Sequence, residues 1–160
     1  MELDKAAMTP QARVIGVKSW TAYAGVLALA GLLFLVALPL SFRWNELAAA
    51  AVLAGSSLIV VYRFLLVRSV QLYYDDVGVW VVSGVLPWAR GVAGVKWRDM
   101  DEASYVNGFV SWVTRSYTVR IGHRFTKESE IVLHHIAGGR KAVETVNAIH
   151  QQMIRSGAVD

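Results

Sequence analysis

Two long apolar runs, joined by Ser41-Phe42-Arg43-Trp44-Asn45-Glu46, constrain this chain more than any other feature. Residues 20–40 (WTAYAGVLALAGLLFLVALPL) carry no charge, and residues 47–67 (LAAAAVLAGSSLIVVYRFLLV) carry only Arg63. A helix rising ~1.5 Å per residue needs ~20 residues to cross a hydrocarbon core ~30 Å thick, and each run meets that length. Arg63 lies about one turn from the end of its run, where its methylenes can follow lipid while the guanidinium reaches the headgroups. The expectation is a transmembrane helical hairpin over residues 20–67, with spans 20–40 and 47–67.

Two alternatives fit less well. A buried hairpin in a soluble protein would have to be wrapped by the remainder of a 160-residue chain, which is too little to cover two such helices. A cleaved signal peptide would have a shorter apolar run and a small-x-small site, whereas Pro39-Leu40-Ser41-Phe42-Arg43 offers none. The composition, 55% apolar with mean hydropathy +0.41 and pI near 9.6, suits one small soluble domain hung from an anchor. Lys5, Arg13 and Lys18 precede the first span, Arg43 alone lies in the connection, and Arg63 and Arg68 bracket the exit. The positive-inside rule then places both termini in the cytoplasm. The absence of cysteine excludes disulfides and thiolate metal sites.

Residues 1–19 have mixed charge and no sustained periodicity, and read as a cytoplasmic lead-in, in part helical along the headgroups. Ala24, Ala28 and Gly31 in the first span, and Ala48, Ala51 and Gly55 in the second, form stripes of small residues that would let the helices approach closely. Such residues are also common in membrane helices generally. Trp20, Tyr23, Phe42 and Trp44 stand where interfacial aromatics are expected.

After Val67 the period shortens to two. Val70, Leu72 and Tyr74 alternate with Gln71 and Tyr73, Asp75-Asp76-Val77-Gly78 supplies turn chemistry, and Val79-Trp80-Val81-Val82 resumes an extended run to Ser83-Gly84. Leu86-Pro87-Trp88-Ala89-Arg90-Gly91 reads as a loop or edge segment. Further strands are expected at Val95-Lys96-Trp97-Arg98-Asp99-Met100, at residues 109–113 after an Asn107-Gly108 turn, at residues 116–121, and at residues 130–135 after a polar loop over residues 122–129. The count is six or seven. Residues 139–156 return to helical spacing, with Val143, Val146, Ile149 and Met153 on one stripe, so that this helix can close an open end of a curved sheet.

Residues 68–154 resemble the bacterial pleckstrin-homology-like domain of small membrane proteins. The resemblance lies in Tyr74-Asp75-Asp76-Val77-Gly78-Val79 leading to Gly84, in Val95-Lys96-Trp97-Arg98-Asp99-Met100, in the single C-terminal helix and in the hairpin that precedes them. Residues 85–94, with their Pro-Trp pair and glycines, depart from the pattern. The resemblance implies a membrane α hairpin followed, over residues 68–157, by a bent antiparallel sheet of six or seven strands capped by one helix. It also implies a bacterial inner membrane, and it does not imply an enzyme.

Function has to be argued from sites, since one fold hosts many. A phosphoinositide site needs several cations converging on an early loop, whereas the first turn is acidic and the next loop offers only Arg90. His134 and His135 fall in an expected strand, where adjacent side chains point to opposite faces and cannot share a metal; His123 and His150 have no supporting carboxylate spacing. Glu128 and Glu130 read as solvated charges. No nucleophile elbow is present, and Gly138-Gly139-Arg140-Lys141 lacks the rest of a phosphate-binding loop. From Arg68 onward Lys and Arg exceed Asp and Glu by only two, so nucleic acid is not an expected partner. No catalytic residue, cofactor or metal is expected.

The expected function is that of a non-enzymatic, membrane-anchored interaction module, self-associating or an accessory subunit of an inner-membrane complex. The alternative is a domain that senses lipid or a small ligand at the inner leaflet. The expected partners are membrane lipids and a protein or a second copy of the chain. Arg63, Arg68, Trp88 and Arg90 are the candidate membrane-surface contacts, and Val143, Val146, Ile149 and Met153 the candidate contacts between helix and sheet.

Overall fold

The computed structural model describes residues 12–125 and 130–157. The lead-in before residue 12, and residues 126–129 of the polar loop with Glu128 among them, lie outside the described residues.

Two apolar helices cover the first half. The first, α1 (Trp20–Phe42), opens with a 3-10 turn at Trp20–Tyr23 and widens to π geometry at Leu33–Ala37. Pro39 has no N–H for the carbonyl one turn back, and its ring would collide with that carbonyl; the wide turn just before it accommodates both defects. The second, α2 (Glu46–Ser69), starts at Asn45, whose side-chain oxygen accepts the Ala48 N–H at 2.8 Å. Both helices are long and apolar enough to cross a membrane, and the rest of the chain leaves their sides almost uncovered. Val26, Ala49 and Ser56 are the buried residues within α1 and α2 apart from Ser41 at the connection. The contact line does not follow the small-residue stripes read from sequence: at ~100° per residue Val26 lies on the side of α1 opposite Ala24 and Ala28, and a Cβ at Gly31 or Gly55 would meet no neighbour. Tyr23 and Phe64 meet across it with ring centroids 5.1 Å apart.

Among the described residues, seven antiparallel strands form two sheets. The first has the order β1-β2-β3-β4, from β1 (Arg13–Val17), β2 (Gln71–Tyr74), β3 (Gly78–Ser83) and β4 (Gly91–Lys96). The second is β5-β6-β7, from β5 (Met100–Val106), β6 (Ser116–His123) and β7 (Ile131–Ala137). A short helix, α3 (Phe109–Thr114), links β5 to β6, and α4 (Gly139–Arg155) ends the domain. This is the expected hairpin followed by a seven-stranded antiparallel domain with a C-terminal helix, an arrangement compatible with a pleckstrin-homology-like domain.

The strands are not all the expected ones. Residues 13–17 of the lead-in are β1, paired with β2 in the register Val17↔Gln71 and Arg13↔Tyr74. The Val14-Ile15-Gly16-Val17 run is extended because β2 would otherwise be an open edge over the core: a Cβ at Gly16 would stand 3.1 Å from Ile136 Cγ2 and 3.4 Å from Leu72 Cβ. Residues 109–113 form helix instead of strand. The Val95–Met100 motif is no single strand either: β4 ends at Lys96, a 3-10 turn spans Trp97–Asp99, and β5 begins at Met100. It is the corner at which the chain passes from one sheet to the other, and Trp97 fills that corner, fully buried with Nε1 donating to the Asp75 carbonyl at 2.9 Å.

The departing stretch, residues 85–94, resolves into a 3-10 turn at Pro87–Ala89 and then β4. Its Gly94 faces Trp80 across the ladder, and a Cβ there would fall 2.0 Å from the Trp80 ring. Only glycine leaves room for the indole to lie over β4 and reach Asp75.

The core lies between the sheets, with Leu72, Val79, Val95, Trp97, Met100, Val119, Ile121 and Ile136 fully buried. Helix α4 closes it. Val143 and Val146 are buried, and Ile149 and Met153 pack against the same cluster half-buried, so the four stripe residues meet the sheets together. Asn147 fixes the height of the helix, donating to the Ala103 carbonyl at 2.8 Å and accepting its N–H at 3.0 Å, beside the irregularity in β5.

Candidate functional site

The strand directions gather one set of segments at the end of the domain where the helices attach. The chain enters α1 from the end of β1 and leaves α2 into the start of β2, so the two ends of the hairpin stand side by side. A polar seam fixes them to the second sheet. Lys18 Nζ donates to the His134 carbonyl at 2.6 Å, and the Ser19 N–H to the His135 carbonyl at 2.7 Å. Half-burial lowers the Lys18 pKa from its ordinary value. Thr21 Oγ1 lies 2.6 Å from Ser116 Oγ and 3.2 Å from His135 Nδ1. On the other side Ser69 Oγ accepts the Gly84 N–H at 3.0 Å and donates to the Leu66 carbonyl at 2.8 Å.

His135 joins this seam by breaking the alternation of β7. With φ of +57° it forms a bulge, so His134 and His135 are both exposed while Leu133 and Ile136 both point inward. The opposite-face expectation fails because the extra residue keeps Ile136 in the core. The two imidazoles still have different neighbours, Thr118 for His134 and Thr21 for His135. The fourth histidine, His150, is buried on α4, stacked on Trp97 with centroids 6.3 Å apart, and its Nε2 has no hydrogen-bond partner in the described structure. Among the described residues no group of three or more His, Asp or Glu side chains could hold a metal ion.

The candidate surface residues divide into two places. Arg68 is in the last turn of α2, and the Ser69 to Gly84 bond brings the following turn, with Trp88 81% exposed and Arg90 exposed, to the same level. Arg63 lies more than one turn back along α2, at a notch of about 350 Å³ between the helices lined by Ala22, Gly25, Leu29 and Leu66.

Sequence reasoning missed a second group at this end. In α3, Phe109, Val110, Trp112 and Val113 are 79%, 71%, 68% and 58% exposed. Trp112, in a segment read as a strand, faces outward because that segment is helical and packs on β6 by its other side. The signal was present: four apolar residues at i, i+1, i+3 and i+4 follow helical spacing, whereas a strand would place them at every second position. Beside α3 lies a hollow of about 490 Å³ lined by Trp112, Arg115, Tyr117, Arg140, Lys141 and Glu144. Arg140 Nε donates to Glu144 Oε1 at 2.9 Å, which raises the Arg140 pKa from its ordinary value.

An opposite kind of surface lies along β4. This strand pairs with β3 on one side only and forms the edge of its sheet. Gly91, Val92, Ala93 and Gly94 are all exposed, and a groove of about 430 Å³ separates this strand from Ile131, Val132 and Leu133 of β7.

Comparisons with protein-family models, curated proteins and solved structures find no match to this chain.

Proposed function

We propose that this protein is a non-enzymatic interaction module anchored in a bacterial cytoplasmic membrane by the α1–α2 hairpin, with both termini cytoplasmic and a domain of the bacterial pleckstrin-homology-like kind. It self-associates, or joins a larger membrane complex, by adding a strand to β4.

The open edge of β4 carries this reading. Natural edge strands are usually blunted by charge, proline or a bulge, and β4 has none of these from Gly91 to Val95. Its small residues leave the backbone accessible, and the groove beside β7 gives an added strand a wall for its side chains. The uncharged helices support the anchor, and the Lys5, Arg13, Lys18, Arg63 and Arg68 distribution supports the orientation.

Crosslinking of the detergent-solubilised full chain, followed by pull-down and mass analysis, tests the module. Dimers or a recurrent hetero-complex with crosslinks mapping to β4 are expected, and Val92→Lys should abolish them without changing the thermal melt. Association that persists in this variant refutes the edge as the contact. Reporter fusions at residue 160 and in the 41–45 connection test orientation; a C-terminal fusion active only outside the cytoplasm refutes it.

A further inference from the structure

We infer that α3 is a second membrane contact, lying in the headgroup layer with its apolar face toward the acyl chains, while Arg115, Arg140 and Lys141 beside it receive the phosphates of anionic lipids. This rests on reading the α1–α2 hairpin as membrane-spanning.

Height is the first observation. Trp20, the first residue of α1, donates its indole N–H to the carbonyl of Thr114, the last residue of α3, at 3.2 Å. An aromatic at the start of a span sits at the membrane interface, so the residue it holds is at that level too. At ~1.5 Å per residue so short a helix extends ~9 Å, so none of its backbone lies farther than about that from the level of Thr114.

Polarity is the second. Phe109, Val110, Trp112 and Val113 make one continuous exposed apolar surface, of the sort that soluble surfaces cover with a partner. Amphipathic segments lying on a bilayer bury such a face ~5–10 Å into the boundary of headgroups and acyl chains, and the leaflet that receives α1 is continuous with this surface.

Charge is the third. Arg115 ends α3 in the left-handed region, with φ of +53°, and borders the same hollow as Arg140 and Lys141 of α4. Glu144 offsets one of the three cations, leaving an excess of positive charge directly behind the apolar face. Lipid phosphates lie just outside the acyl boundary, where long Arg and Lys side chains reach them while their methylenes stay on apolar surface. A second copy of the chain would bring the same three cations to meet these, which favours the lipid leaflet as the occupant.

The native chain has no cysteine, so single labels are unambiguous. Spin labels at Val110→Cys, Leu35→Cys and Asp76→Cys are read in the full chain in nanodiscs of phosphatidylcholine, with and without phosphatidylglycerol, by collision with oxygen and with a water-soluble nickel chelate. At Val110 and Leu35 oxygen collisions should dominate, and at Asp76, in the β2–β3 turn at the end of β2 away from the helices, nickel should. Leu35 in lipid with Val110 open to nickel overturns the α3 contact and leaves the hairpin standing. Leu35 open to nickel overturns the membrane reading itself. Val110 shielded from both reagents, with spin–spin broadening, overturns the proposal in favour of a second copy. Phosphatidylglycerol should move the Val110 label deeper, and Arg140→Gln with Lys141→Gln should erase that shift; a shift that survives in the double variant overturns the phosphate contacts.

Discussion

Asp75 is the residue whose replacement tests the fold most sharply. Its Oδ1 accepts three N–H groups, from Val77, Gly78 and the Trp80 indole, each at 2.9 Å. Its backbone carbonyl separately holds Trp97. Asp75→Ala leaves the carbonyl in place and isolates the carboxylate. The Val77 N–H lies at an exposed residue and water can replace its acceptor, but Gly78 is buried and the Trp80 ring is fixed over Gly94. Two donors are thus orphaned, at ~1–3 kcal/mol each, so the expected loss is roughly 3–5 kcal/mol against a typical total of ~5–15. Asp75→Asn keeps an acceptor oxygen with bonds about half as strong, and should cost roughly 1–2 kcal/mol. Thermal unfolding of the full chain in detergent, followed by the near-ultraviolet dichroism of the tryptophans, reads the difference. At ~4–8 °C per kcal/mol for a domain of about this size, Asp75→Ala should lower Tm by more than ~12 °C and Asp75→Asn by about a third of that. Equal losses for the two variants would mean that the charge, not the acceptor geometry, holds the turn. A loss under ~0.5 kcal/mol for Asp75→Ala would refute the hub altogether.

Three further outcomes are expected. Val146→Asp places a charge in the fully buried seam between α4 and the sheets and should unfold the domain, whereas Lys141→Ala, on the exposed side, should stay within ~0.5 kcal/mol in the same melt. His150→Phe keeps a ring on Trp97 and removes the unpartnered Nε2, so stability should hold or rise by ~1–3 kcal/mol; a comparable loss would reveal a bound partner at that nitrogen. A chain beginning at Arg68 lacks β1 and should aggregate, while residues 12–18 joined to residues 70–157 through a two-residue turn should give a soluble, cooperatively melting domain, as light scattering and calorimetry would show.

The features legible in the sequence were those written in a run of residues. The apolar helices, the period-two stretch before Asp75, the β-rich run of β3 and the stripe Val143, Val146, Ile149 and Met153 are each written in consecutive residues whose chemistry suits the element they form. What was not legible depends on a distant partner. Val14-Ile15-Gly16-Val17 is too short to declare itself a strand; it becomes one because β2, more than fifty residues later, presents an edge to it. Residues 109–113 are rich in β-branched and aromatic side chains, and that propensity outweighed a helical spacing that only one turn of helix could display. The bulge at His135 is likewise invisible locally, since it exists to keep Ile136 in a core assembled from both sheets. The candidate site inherits this division. Trp88 and Arg90 could be placed in an exposed turn because Pro87 marks one, whereas the α3 surface needed the Trp20 bond to give it a height.

The pairing of β1 with β2 changes what the hairpin is in this chain. It is not a leader placed before a finished domain but an insertion between two neighbouring strands of one sheet. Closing a flexible loop of about fifty residues between paired strands costs roughly 3–4 kcal/mol on the logarithmic law, a sizeable share of a small domain's stability. A helical hairpin returns its own ends to one place, and so removes most of that cost before β1 and β2 meet. Forming the anchor therefore helps to form the sheet. The coupling also runs the other way: Val17 and Gln71 are register partners, and Ser19 and Ser69 are bonded into the second sheet and the β3 end respectively. A change in the spacing of the two helix ends would have to be taken up at these bonds or passed into the β1–β2 ladder. With the β4 edge in the same sheet, two strands from that ladder, a displacement of the helices has a continuous route through paired backbone to the surface proposed for a partner.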